Sequence, residues 1–142
     1  METNLLLIQP VIALVLWTFV MWLWMYATRI PAITAARMKL DPNSPSGEQM
    51  SQLPANVRWK ADNYNHLMEQ PTIFYAIVIS LAVLGDTSTL SLYSAWAYVA
   101  FRVAHSLVQA TVNIIILRFV LFSLSNIPLA ILAFSAALTA FG

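Results

Sequence analysis

The chain has 142 residues, 60% of them hydrophobic and only 9% charged, and its mean hydropathy is +0.73. Soluble domains carry roughly a quarter charged residues, so a water-soluble globule is excluded. A net charge of +1 excludes a nucleic-acid interface, and the absence of cysteine excludes a disulfide framework, a thiolate nucleophile and a cysteine zinc site.

The composition points to an all-α integral membrane protein, read as a single domain over 1–142. The first apolar run, Leu5 to Tyr26, is interrupted only by Gln9, Pro10 and Thr18. As a helix over 5–28 it is long enough to cross a hydrocarbon core of about 30 Å. A secretory signal does not fit, since Glu2 is the only early charge and the run is too long. Trp22, Trp24 and Tyr26 crowd its end, just before Arg29, as an interfacial aromatic belt or as filling for an oligomer contact. Residues 30–60 change character. Pro31, Pro42, Pro45, Pro54 and Gly47 punctuate a polar stretch that reads as an aqueous loop, with a short amphipathic piece near Ile33–Leu40.

The second span is expected over 62–84. Thr72 to Leu84 alone is too short to cross, so the helix must recruit the polar segment from Asp62 to Pro71, which then faces protein or a water-filled cavity. Gly85-Asp86-Thr87-Ser88 reads as a tight turn. A third span is expected over 90–112 and a fourth over 119–141, the latter with Asn126 and Pro128 as interior exceptions. Lys and Arg occur at 29, 37, 39, 58, 60, 102 and 118. The positive-inside rule therefore places the 30–60 loop in the cytoplasm and both termini outside.

Polar residues recur at helical spacing on the middle two spans. Asp62, Asn65 or His66, and Glu69 share one face of the second, while Arg102, His105 and Gln109 share one face of the third. Counting inward from the turn puts Glu69 and His105 at one depth, about 22 Å down, which leads us to expect Glu69 against Arg102 and His105. Two readings stand: a pair that fixes helix register, or the wall of a hydrophilic cavity. Four helices can hardly bury both stripes and line a cavity, so an oligomer with its site between subunits is expected. No metal site is expected, because His-x3-His, Glu-x-x-His and cysteine spacings are missing. Ser106 beside His105 points about 100° away from it and makes no triad. No glycine-rich phosphate loop exists, and Met21, Met25, Met38 and Met50 read as packing.

Arg102-Val-Ala-His105, followed thirteen residues later by Arg118, together with Asn65…Glu69-x-Pro71, resembles the MAPEG superfamily of membrane-associated proteins in eicosanoid and glutathione metabolism. That group includes microsomal glutathione transferases, leukotriene-C synthase and microsomal prostaglandin E synthase. The resemblance covers Arg58 to Phe122 and is nearest to small bacterial members, around His66-Leu-Met-Glu-Gln-Pro71 and His105-Ser-Leu-Val-Gln-Ala110. It implies a homotrimer of four-helix subunits with glutathione bound between neighbours at the cytoplasmic side. It implies that Arg118 is catalytic, favouring the thiolate; the other reading of Arg118 is a snorkelling anchor. Arg102, His105 and Asn65 match binding or helix-orienting positions, Arg58 and Lys60 fit the glutathione carboxylates, and Arg37 takes the part of a first-helix arginine. Glu69, Gln109 and Asn113 complete the candidate binding set. Three departures stand out. Gln109 replaces a tyrosine hydroxyl, Lys60-Ala61 is displaced by a residue from the usual Arg-Ala, and Glu69 follows Asn65 by four residues instead of three.

The expected function is a glutathione-dependent transferase or peroxidase-like protein in a bacterial inner membrane, acting on lipophilic electrophiles. The alternative is a non-catalytic trimeric membrane subunit that binds a lipid, a quinone or a partner protein. A transporter fits poorly, since only the middle spans carry intramembrane charge and no inverted repeat is visible.

Overall fold

The computed structural model describes residues 4–142, and within them the chain is helical with short connections. After a 3-10 turn at Leu5–Leu7 come α1 (Ile8–Ala35), α2 (Ser46–Met50), α3 (Ala55–Leu67), α4 (Pro71–Val83), α5 (Thr89–Thr111) and α6 (Ile115–Phe141). Three helical stretches are long and apolar enough to cross a membrane: Leu5–Ala35, Ala55–Val83 and Ile115–Phe141. The sequence reading counted four spans. Helix α5 is shorter, with 23 residues, yet at about 34 Å it is long enough to cross; its polar residues lower its apolarity. Those residues, Ser91, Ser94, Arg102, His105, Ser106 and Gln109, are all buried inside the chain.

The core follows from helical spacing. Leu7, Val11, Leu14 and Met21 form one stripe, Phe74, Val78 and Leu81 a second, and Ala95, Tyr98 and Val99 a third, and these close on Leu129 and Leu132 of α6. Helix α5 packs most extensively on α6, and α1 packs on α3, α4 and α5. Large apolar residues such as Leu16, Phe19, Ile116, Phe119, Phe134 and Leu138 remain exposed. That outer surface suits hydrocarbon, where intrahelical bonding satisfies the backbone.

Three boundaries differ from the sequence reading. Helix α1 runs through Pro31 to Ala35 and ends where Arg37 takes a left-handed φ of 51°. The second helical stretch starts at Ala55, within the expected loop, and breaks at Met68–Gln70. Pro71 has no N–H, and its ring crowds the carbonyl four residues back. The chain responds by tightening: the amides of Met68, Glu69, Thr72 and Ile73 each bond three residues back instead of four. Helix α6 begins at Ile115, four residues earlier than expected, because the turn before it is short. Asn113, at φ 49°, closes α5 by donating its amide to the Val108 carbonyl at 2.7 Å. Asparagine tolerates this left-handed backbone better than most residues.

The far turn is held at both sides. Gly85 adopts φ 75°, Ser88 caps α5 by accepting from the Leu90 and Ser91 amides, and Asn4 donates to the Asp86 carbonyl at 2.6 Å. At the opposite end the 36–54 connection is folded on itself. The Gln49 side chain donates to the Asp41 carbonyl at 2.7 Å and accepts from its amide at 3.0 Å. Leu53, nearly inaccessible, anchors the connection beside α3.

Candidate functional site

Two polar regions emerge, one enclosed and one open. The enclosed one is centred on Arg102, which is 0% exposed. Its Nη2 meets Nδ1 of His66 at 2.9 Å. Since a guanidinium can only donate, Nδ1 of His66 is the acceptor and any ring proton there sits on Nε2. The His66 ring stacks on His105 with centroids 4.9 Å apart and planes 21° apart, and Phe122 closes the group from α6. The Arg102 guanidinium carbon also lies 5.9 Å from the centre of the Phe122 ring, within cation–π range.

A relay continues from this group between helices. The Tyr98 hydroxyl donates to Gln70 Oε1 at 3.2 Å, Gln70 Nε2 donates to Asn126 Oδ1 at 2.6 Å, and Asn126 Nδ2 donates to the Phe122 carbonyl at 2.8 Å. Tyr98 stacks on Phe74 at 4.4 Å. One break in the helix, at Gln70, thus serves α4, α5 and α6 together. Several buried atoms find no hydrogen-bond partner in the chain, among them Arg102 Nε and Nη1, His105 Nδ1, Gln109 Oε1, and both side-chain polar atoms of Asn63.

The expected contact of Glu69 with Arg102 and His105 is corrected here. Glu69 is exposed, and Arg102 bonds His66 instead. The inward face of α3 carries Val57, Lys60, Asn63 and Leu67, and Asp62 and Asn65 point outward. Overwinding at Met68–Gln70 alters the register between α3 and α4, so the straight-helix projection from Leu84 fails at Glu69. Lys60 is likewise held within the chain. Its ammonium donates to the Asn56 and Ala110 carbonyls at 2.9 and 3.2 Å and lies 5.1 Å from the Trp24 ring centre, joining α1, α3 and the end of α5.

The open region lies at the Lys60 end. A cavity of about 500 Å³ is bounded by Met25 and Arg29 of α1, by Gly47 and Met50 of α2, and by Arg58, Asp62, Tyr64 and Asn65 of α3. It unites Arg58 and Asn65 from the sequence candidates, and adds Arg29 and Asp62. The half-buried Arg29 carries an Nε with no partner in the chain; its place just beyond the first apolar run was the signal for it. Arg118 is not part of this lining. It sits half-buried at the start of α6, with Nη1 donating to Asn113 Oδ1 at 2.7 Å and Nε buried without a partner. Arg37 is exposed at the end of α1. Arg102, His105 and Gln109 belong to the enclosed region. No group of three or more potential metal ligands exists among the described residues.

A bundle of apolar-surfaced helices that encloses a guanidinium and one imidazole, with a second imidazole half-buried beside them and a cation-lined cavity at one end, defines a helical membrane protein with a polar site near one face. The chain belongs to the MAPEG family, whose model matches residues 7–138. It is accordingly a multi-pass membrane protein of the superfamily tied to glutathione and eicosanoid metabolism. No curated protein and no solved structure matches it.

Proposed function

We propose that the protein is a glutathione-dependent transferase or peroxidase-like enzyme acting on lipophilic electrophiles within the bilayer. The observation that carries this reading is the cavity of about 500 Å³ edged by Arg29, Arg58, Asp62 and Asn65. Its volume lies inside the roughly 300–1,000 Å³ typical of small-ligand sites. Two guanidiniums suit the two carboxylates of glutathione as charge-assisted donors, Asp62 suits its ammonium, and Asn65 suits a peptide group. Asp62, Asn65 and the neighbouring Arg58 form an outward polar face on α3. Such a face supports a homotrimer in which a second subunit covers it, because polar side chains meet lipid only at high cost.

In that assembly Arg118 is the catalytic residue. Asn113 fixes one side of its guanidinium, and a fixed cation beside the thiol favours the thiolate, the nucleophilic form. The sulfur then bonds to the electrophilic carbon. The displaced electron pair goes to the leaving group or conjugated carbonyl oxygen, and the thiol proton goes to water. The reading carries with it four crossings and cations facing the cytoplasm of a bacterial inner membrane. A second reading, a non-catalytic trimer that binds a lipid, quinone or partner protein, draws on the separation of Arg118 from the cavity within one subunit.

Calorimetric titration of the detergent-solubilised protein with glutathione tests the proposal, with binding expected in the millimolar range or tighter. Arg118→Ala should retain binding and lose about 100-fold or more in conjugation rate, the scale of removing one charge-stabilising donor from an active site. Absence of glutathione binding in the wild type overturns the enzyme reading. Full activity in Arg118→Ala overturns the role of Arg118.

A further inference from the structure

The enclosed polar region carries a charge that no described acid neutralises. Arg102 is 0% exposed. Its Nη2 is spent on the His66 ring, and its Nε and Nη1 meet no partner in the chain. Of the described acids, Asp41, Glu48, Asp62 and Glu69 are exposed, and Asp86 sits half-buried at the far turn. Farther along the same seam stands a second buried cation, Lys60. An ion taken out of water is tolerated only when it is paired and hydrogen-bonded.

Two contacts fix the register of α3 against α5. His66 reaches Arg102 at one end of the seam, and Lys60 reaches the Ala110 carbonyl at the other. The helices run antiparallel, so residue 63, midway between on α3, lies level with residue 106, midway between on α5. Both are 0% exposed. Both are also orphaned, since Asn63 Oδ1 and Nδ2 and Ser106 Oγ find no partner in the chain. Two buried polar side chains at one level that do not bond each other call for a third atom that bonds both. His105 Nδ1 and Gln109 Oε1, to either side of Ser106 on α5, are in the same condition.

We propose that the seam between α3 and α5 binds one small inorganic anion of the halide class at the level of Asn63 and Ser106. Asn63 Nδ2 and the Ser106 hydroxyl donate to it, and Arg102, one turn along α5, supplies the opposite charge. Water would satisfy the amide and the hydroxyl, but it leaves the guanidinium uncompensated; an anion does both. Enclosure sets the size: with every side chain at this level buried, the occupant has no tail leading to solvent. The inference stands apart from the enzyme reading, because the arginine-edged cavity shares none of these residues.

The test uses the full chain in nanodiscs of zwitterionic lipid, unfolded by heat in sodium chloride, bromide or gluconate at one ionic strength. Chloride and bromide should raise the midpoint saturably, by several degrees at about a hundred times the dissociation constant. Gluconate, too large to enter, should not. Asn63→Leu keeps a side chain of similar shape, loses the amide and should abolish the halide effect. Ser106→Ala should weaken halide affinity roughly tenfold to a hundredfold, and it carries the test if Asn63→Leu does not fold. Arg58→Ala should retain the full effect. The site is overturned if halide and gluconate act alike, or if the halide effect survives both seam variants. Loss of the effect in Arg58→Ala overturns it too, by moving the ion to the open cavity. Anomalous scattering from crystals grown in bromide locates the ion directly. A peak between Asn63 and Ser106 supports the proposal, while water at that position, or a bromide that glutathione expels, overturns it.

Discussion

Arg102 and Arg58 are both arginines near the polar end of an apolar bundle, and the chain treats them oppositely. Arg102 is wholly enclosed, donates to His66 and lies against the ring of Phe122. Arg58 is exposed at the mouth of a cavity shared with Arg29 and Asp62. Enclosure turns a cation into a tie between helices, because moving it forces an imidazole stack and an aromatic ring to move too. Exposure leaves a cation free to meet a ligand's carboxylate. The same side chain thus ties helices together in one place and is left open at a cavity mouth in the other, and its surroundings decide which.

The sharpest way to break this comparison is stability. Arg102→Ala removes the largest fully buried side chain and should destabilise the fold by about 2–5 kcal/mol, as other large-to-small core changes do. Arg58→Ala should shift stability by no more than about 0.5 kcal/mol. Thermal unfolding in detergent, followed by circular dichroism, reads both; equal shifts would erase the distinction.

Ligand binding is the second lever. Arg29→Ala and Arg58→Ala should each weaken glutathione by roughly tenfold to a hundredfold, the worth of a hydrogen bond to a charged group. The decisive measurement is calorimetric titration against the wild type, and an unchanged affinity in both variants would detach the cavity from the peptide.

The third lever is the relay. Gln70→Ala leaves the Tyr98 hydroxyl and Asn126 amide without their partner and should cost about 1–3 kcal/mol. Measured beside Asn126→Ala in a double-mutant cycle, the two losses should fall short of additivity, since they break one shared bond.

The apolar helices were legible because hydropathy adds over a run, and no local detail reverses that sum. The α5 stripe was legible too. Arg102, His105 and Gln109 lie along one uninterrupted helix, so their spacing carries into three dimensions and all three are buried. The α3 face was not. Three residues wound at about 120° each in place of about 100° turn the chain by roughly 60°, enough to put His66 where Glu69 was expected. Pro71 announced a break, but the tightening that followed depends on the packing of Gln70 against Tyr98 and Asn126. Arg29 escaped notice because it closes the first apolar run, where a cation reads as a membrane anchor. Only the folded 36–54 connection makes it one side of a cavity.

That connection has a consequence for timing. The roof over the cavity, Gly47 and Met50, hangs from a clasp between one glutamine amide and the backbone of Asp41. Water competes directly for those bonds, so unlatching them disturbs no helix. The roof is therefore free to shift at the pace of a surface loop without breaking any bond of the long helices beneath it.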